Sequence, residues 1–231
     1  MLGNVAPTEF DLRFSMFGIP VRVHPLFWAV SAFMGWNPND IKMTLIWIAC
    51  VFVSILVHEL GHALTARHFG WPPEIVLYHF GGLAMFQPYS GMTTRRSIIV
   101  SAAGPFAGFA LLGAVMFFKM ISVKFGLWDQ FSPEGRDYVR ATFYFLYFIN
   151  LYWGLINLAP VLPLDGGHIC EDICKAVKRY RGDVLALQIS MVVAGLLAFY
   201  FFKQQLRFAG IMFALFAFFN FQAYQQRNST W

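Results

Sequence analysis

The sequence predicts an all-α polytopic membrane protein with about six transmembrane helices and a short β-hairpin-like insertion at the membrane surface. Of the 231 residues, 58% are hydrophobic and only 13% are charged, whereas a soluble domain carries about 25% charged residues. The apolar residues also form long uncharged runs, which a water-facing fold does not need. We therefore expect one membrane-embedded domain over residues 1–231, with the lipid bilayer and not nucleic acid as its surroundings.

Six stretches without charged residues are candidates for membrane-spanning helices. A helix needs about 20 apolar residues to cross about 30 Å of hydrocarbon, and in lipid a helix satisfies its own backbone polar groups. The first stretch is the weakest, because it contains two prolines and a glycine. The six stretches are Val23–Asn39, Met43–Val57, Ser97–Phe118, Ala141–Leu164, Val184–Phe202 and Phe208–Gln226.

The segment Trp71–Thr94, between the second and third stretches, is rich in proline and glycine and is not expected to be a helix. The segments Glu74–His79 and Leu83–Phe86 flank the pair Gly81-Gly82, with β-favouring residues on one side. This pattern predicts a short hairpin or loop near the membrane surface.

The strongest functional signal is His58-Glu59-Leu60-Gly61-His62, which follows the second stretch. Four residues advance about 400° around a helix, so the two imidazoles lie one turn apart on one face and can bind one Zn²⁺. Glu59 projects about 100° away, where it can take a proton from water rather than bind the metal. Because ionisable residues at membrane depth are costly and usually functional, the pattern predicts a zinc metalloprotease with Glu59 as its general base.

A catalytic zinc usually has three protein ligands and one open position. Asp165 is the first candidate for the third ligand, since it ends the stretch Asn157-Leu-Ala-Pro-Val-Leu-Pro-Leu-Asp165-Gly166-Gly167. The prolines interrupt the helix there, and an unwound chain can turn a carboxylate towards a site. Other membrane metalloproteases with an H-E-x-x-H motif take a glutamate from a later helix, and Glu171 is the one rival of this kind.

The two motifs together resemble the site-2 protease family of intramembrane zinc metalloproteases, in its bacterial six-span type without PDZ or CBS modules. The resemblance covers roughly Val23–Arg181, the expected catalytic core, and two further spans lie within residues 184–226. It implies one Zn²⁺ per chain and the following site residues: the metal ligands His58, His62 and Asp165, the general base Glu59, and the substrate-binding residue Asn157.

The resemblance also implies hydrolysis of peptide bonds in or near transmembrane segments, as part of regulated intramembrane proteolysis of a single-span membrane protein. With the N-terminus inside and six spans, ten basic residues lie inside and seven outside, which together are the 17 in the sequence. Since basic loops favour the cytoplasmic side, we expect a bacterial cytoplasmic membrane with the active site towards the cytoplasm.

The main alternative is a non-catalytic metal-binding membrane protein that holds clients or partners. An intact Glu59 argues against it, because holding a metal does not require a base. The family often has asparagine where this chain has Gly108, so we expect no polar group to act there. The sequence assigns no role to the four remaining candidates, which are His24, His168, Cys170 and Cys174.

Overall fold

The computed structural model describes residues 6–79, 81–86 and 91–229. They form two compact units, Met1–Ser90 with Ala103–Gly154 and Gly91–Ala102 with Leu155–Trp231. The helices of the described residues are α1 (Pro25–Met34), α2 (Ile41–His68), α3 (Thr94–Lys124), α4 (Pro133–Asn157), α5 (Asp165–Val177), α6 (Gly182–Lys203) and α7 (Arg207–Ser229), with a 3₁₀ turn at Leu127–Gln130. The strands are β1 (Leu12–Met16), β2 (Ile19–Val23), β3 (Pro73–Tyr78) and β4 (Gly81–Phe86).

Four of the described helices, α2, α3, α6 and α7, are long and apolar enough to cross a membrane. The first predicted stretch forms only α1, whose 10 residues reach about 15 Å and cannot cross the bilayer alone. The fourth forms α4, which is not among these four helices. Helix α4 begins with charged residues and contains several tyrosines and two asparagines. The prediction of a helical, multi-pass membrane protein is confirmed, with α1 shorter than expected.

The first unit contains the predicted hairpin, in which β3 and β4 pair antiparallel with Leu77 opposite Gly82. The residue before β4, Phe80, and residues 87–90, which include Pro88, lie outside the described part of the chain. The prediction missed a second hairpin, β1–β2, which joins the first through parallel pairing of β2 with β3. The resulting sheet has the order β1-β2-β3-β4, so β3 is an interior strand and β4 an edge strand.

The sheet packs on α1 and α2 through one apolar core. Side chains of β2 and β3 that are almost fully inaccessible to solvent meet the inner face of α2. Burial of such side chains contributes about 1.5–3 kcal/mol each relative to exposure. Packing therefore holds the sheet beside the part of α2 that carries the zinc motif, and the core consists of Ile19, Val21, Val23, Phe27, Ile55, Leu56, Leu60, Ala63, Ile75 and Leu77.

Helix α2 is longer than the apolar run that predicted it. It begins after Asp40, whose carboxylate accepts a hydrogen bond from the N–H of Met43 and so satisfies one of the unpaired donors of the first turn. It continues past the motif to His68. His58 thus lies about 15 Å from the C-terminal end of the helix, inside the span and not at its edge.

The second unit is built on α6 and α7, which pack against each other and against the segment that follows α4. Val161, from that segment, is fully buried with Ala194 of α6 and Phe213 of α7. The predicted unwinding is confirmed, because α4 ends at Asn157 and α5 begins at Asp165. Helix α5 is short and follows this loop directly.

Candidate metal centre

His58 and His62 point their Nε2 atoms at one another on the inner face of α2. The two atoms are 3.2 Å apart, and both side chains are buried. Two nitrogens bound to one tetrahedral zinc at about 2.0–2.1 Å lie about 3.3 Å apart. The pair therefore has the spacing that a single zinc ion requires, as the one-turn separation predicted.

Glu59 is buried beside the edge strand β4. A side chain at Gly82 would overlap the Cγ and carboxylate of Glu59, so only glycine allows the β4 backbone to lie this close. The adjacent Gly81 lies near α4, since a Cβ there would be 3.4 Å from Cζ2 of Trp153. The glycine pair that marked the hairpin in the sequence thus also brings the strand to the predicted general base.

Close packing of α3 on α2 shapes the other side of the histidine pair. A side chain at Gly104 would overlap the imidazole of His62, and one at Gly61 would overlap the backbone of Ala103. Small residues at these positions therefore allow the two helices to approach closely.

We expect Gly104→Ala to weaken zinc binding strongly, because the added methyl group must displace the His62 ring from the position it needs. The measurement is zinc content per chain after dialysis against a weak chelator. Gly113→Ala, on the same helix, is the matched control, since a Cβ at Gly113 meets nothing within 4 Å. Equal zinc content in the two variants would contradict this account of Gly104.

The third predicted ligand, Asp165, is the first residue of α5. His58, His62 and Asp165 each offer one ligand atom of a kind that binds a metal ion. Nitrogen and carboxylate oxygen are donors that zinc accepts in catalytic sites. The three residues could therefore hold one metal ion, as the predicted cofactor requires.

The rival ligand, Glu171, is engaged elsewhere on α5. Its Oε1 lies 2.8 Å from the Nζ of Lys175, one turn along the helix. Among the described residues the group of candidate metal ligands contains Asp165 and not Glu171. The structure therefore favours the first of the two candidates raised by the sequence.

The remaining sequence candidates lie at helix ends and surfaces. His24 is the N-cap of α1, where its Nδ1 accepts a hydrogen bond from the N–H of Leu26, and His168 is exposed. Burial, followed by the neighbouring Cys174, raises the pKa of the Cys170 thiol to about 11. A neutral thiol is a poor metal ligand, so Cys170 and Cys174 are better explained by packing than by metal binding.

The predicted substrate-binding residue, Asn157, is the last residue of α4 and is buried.

A polar pair beside His58 was missed by the sequence analysis. The Nδ2 of Asn150, on α4, donates to Oγ of Ser54 at 2.9 Å, and Ser54 precedes His58 by one turn of α2. A cavity of about 10 Å³ lies between these groups and Gly108, which is enough for about one water molecule. Oδ1 of Asn150 would be 3.6 Å from a Cβ at Gly108, so a polar group does reach the position where none was expected. The sequence gives no local signal for Asn150, because asparagine is a common residue and only its contact with Ser54, 96 positions away, identifies it.

Comparison with known proteins places this site in a family. The family model of Peptidase family M50 matches residues 46–138 and 120–201, which include all three candidate ligands and Glu59. The chain belongs to this family. Membership confirms the family resemblance noted in the sequence.

Two curated relatives are similar in sequence to much of the chain. The chain is 30% identical over 202 residues to zinc metalloprotease MJ0392 of Methanocaldococcus jannaschii, covering 82% of this chain and 55% of that protein. It is 29% identical over 152 residues to stage IV sporulation protein FB of Bacillus subtilis, covering 65% of this chain and 46% of that protein. The chain thus spans about half the length of these relatives.

The fold of this M50 member also has a solved counterpart. The site-2 protease from Methanocaldococcus jannaschii superposes with a TM-score of 0.61 at 23% identity, over 93% of this chain and 95% of that one. At this identity the likeness concerns the fold, which it confirms as that of a site-2 protease.

Proposed function

We propose that the chain is an intramembrane zinc metalloendopeptidase that hydrolyses peptide bonds in or near the transmembrane segments of membrane proteins. The observation that carries the proposal is the buried pair of imidazoles, 3.2 Å apart, next to the buried carboxylate of Glu59 on an apolar spanning helix. Groups of this kind are expensive at membrane depth and are retained there for chemistry. M50 membership supports the same conclusion.

In the proposed mechanism His58, His62 and Asp165 hold the metal, and Glu59 moves the protons. Bound zinc supplies Lewis-acid polarisation of the carbonyl and lowers the pKa of water towards about 7. The Glu59 carboxylate accepts a proton from the water whose oxygen bonds to the carbonyl carbon. It then delivers that proton to the peptide nitrogen as the C–N bond breaks. The products are a carboxylate and an amine.

The substrate must be extended before it can react, because a helix hides its peptide bonds in i→i−4 hydrogen bonds. An extended chain in lipid needs new partners for its N–H and C=O groups. We propose that the edge of β4 supplies them by adding the substrate as a further strand, with Asn157 as an additional polar contact. The closeness of Gly82 to Glu59 supports β4, and not the interior strand β3, as the binding edge.

Proline substitution along β4 tests this mode of binding. Alternate residues of an edge strand direct their N–H groups outward, and proline removes that donor. We expect Leu83→Pro and Met85→Pro to change the cleavage rate by similar amounts. Ala84→Pro should change it by a different amount, because its N–H points to the other side of the strand. Zinc content should stay unchanged in all three variants. Cleavage rates and zinc content of the purified variants give the comparison. Wild-type cleavage rates in every variant would rule out strand addition at β4.

We further propose a single-span membrane protein as substrate, regulated intramembrane proteolysis as the process, and a bacterial cytoplasmic membrane with the site towards the cytoplasm as the location. For six spans with the N-terminus inside, the bias of basic residues supports this orientation. Co-expression with candidate single-span proteins, comparing wild type with Glu59→Gln, tests the proposal. A substrate processed only by the wild type supports it, and identical processing by both proteins contradicts it.

A further inference from the structure

The loop between α4 and α5 carries Asp165 and is held by its own short turns. The N–H of Val161 donates to the carbonyl of Ala159 at 2.7 Å, and that of Leu164 donates to the carbonyl of Val161 at 2.8 Å. Leu162, between these turns, takes its partners from side chains of other helices. Backbone groups removed from water need such partners.

Two buried side chains, from two different helices, bind the backbone of Leu162. Oγ of Ser190, on α6, accepts a hydrogen bond from its N–H at 3.2 Å. Nδ2 of Asn220, on α7, donates to its carbonyl at 2.8 Å and also to the carbonyl of Phe216 in its own helix. Ser190 is 0% and Asn220 4% exposed. Hydrogen bonds shielded from water in this way are strong, and losing one partner leaves the other group unsatisfied.

The loop held by Ser190 and Asn220 packs closely against the start of α5. A side chain at Gly166 would overlap the carbonyls of Leu158 and Ala159, and one at Gly167 would overlap the backbone of Val161 and Leu162. The two glycines directly follow Asp165. A shift of Leu162 therefore moves the first turn of α5 and the carboxylate that begins it.

We propose that Ser190 and Asn220 are positioning residues that fix the place of Asp165 as a metal ligand, acting through the backbone of Leu162. This inference rests on the metal centre of the proposed function. Polar side chains inside spanning helices carry an energetic cost, and packing of α6 on α7 already has its own apolar core. The two polar residues instead converge on one loop residue, three positions before Asp165.

The test uses the purified full chain in detergent, stripped of metal and titrated with Zn²⁺ against a competing chelator. We expect Ser190→Ala and Asn220→Leu each to weaken zinc binding about 10-fold or more, as loss of outer-shell support for a ligand does. Since Ser190→Ala removes a single oxygen atom, it decides the question if Asn220→Leu does not fold. Ser190→Thr keeps the acceptor oxygen and should restore affinity towards that of the wild type.

Thr44→Val is the matched control. Thr44 is 1% exposed, and its Oγ1 accepts from the N–H of Asn37 and donates to the carbonyl of Gly35. It thus binds a loop backbone as Ser190 and Asn220 do, but a loop of the first unit. We expect Thr44→Val to lower the thermal midpoint of the metal-free protein and to leave zinc affinity unchanged.

The visible absorption of the Co²⁺-substituted protein provides a second readout, because it reports the geometry of the ligand set. The inference predicts an altered spectrum for Ser190→Ala and the wild-type spectrum for Thr44→Val. Wild-type zinc affinity and spectrum in Ser190→Ala would overturn the inference alone. Failure of the wild-type chain to bind zinc would instead overturn the proposed function.

Discussion

Glu59→Gln is expected to abolish peptide hydrolysis while leaving the fold and the bound zinc intact. Glutamine matches glutamate in size but cannot accept a proton from water, and general-base catalysis of this kind contributes about 10²–10⁴-fold to the rate. The carboxylate is buried against Gly82, so the isosteric amide fits the same space. Initial cleavage rates of a reconstituted substrate, with zinc content measured on the same samples, test the expectation.

Glu74→Gln is the control for Glu59→Gln. Glu74 lies on β3 and is exposed, so its substitution removes one negative charge from the neighbouring sheet without touching the site. We expect wild-type cleavage from Glu74→Gln. Cleavage by Glu59→Gln at the wild-type rate would rule out Glu59 as the general base and leave the metal site without its proposed chemistry.

Asp165→Asn is expected to reduce zinc binding by more than about 100-fold, with a similar loss in His58→Ala and His62→Ala. A neutral amide is a much weaker zinc ligand than a carboxylate, and a ligand itself matters more than its outer-shell supports, which contribute about 10–100-fold. The wild-type chain should hold about one Zn²⁺. Metal analysis of chains purified under identical conditions makes the comparison.

Glu171→Gln separates the two candidates for the third ligand. Glu171 is paired with Lys175 on α5, so its substitution should leave zinc content at the wild-type level. If Asp165→Asn keeps its zinc and Glu171→Gln loses it, the third ligand is Glu171.

The parts of the site that could be predicted from the sequence depend on local periodicity and on special backbone residues. One turn of helix is enough to bring His58 and His62 together, whatever surrounds them. The prolines before Asp165 end α4 for steric reasons alone, and the glycine pair marks the start of β4. Each of these signals lies within a few residues of the feature it predicts.

The parts that were missed depend on contacts between distant segments. The β1–β2 hairpin is held in place by parallel pairing of β2 with β3, which lies some 50 residues later in the chain. No residue pattern within either strand indicates which strand it pairs with. Asn150 meets Ser54 across 96 residues, and Asn220 meets Leu162 across 58. Helix α1 ends at Met34, before Gly35, where the ring of Trp47 leaves no room for a side chain, although the predicted uncharged stretch runs on to Asn39.

The central claim, that this member of peptidase family M50 cuts peptide bonds at membrane depth, is tested most directly by locating the cut. The purified chain is reconstituted in liposomes with a single-span substrate, and the product termini are identified by mass spectrometry, with the Glu59→Gln chain in parallel. The account predicts new termini within or at the edge of the substrate's apolar segment, formed only by the wild type and lost on zinc removal. Termini confined to the soluble tails, or the same termini from the Glu59→Gln chain, would contradict it.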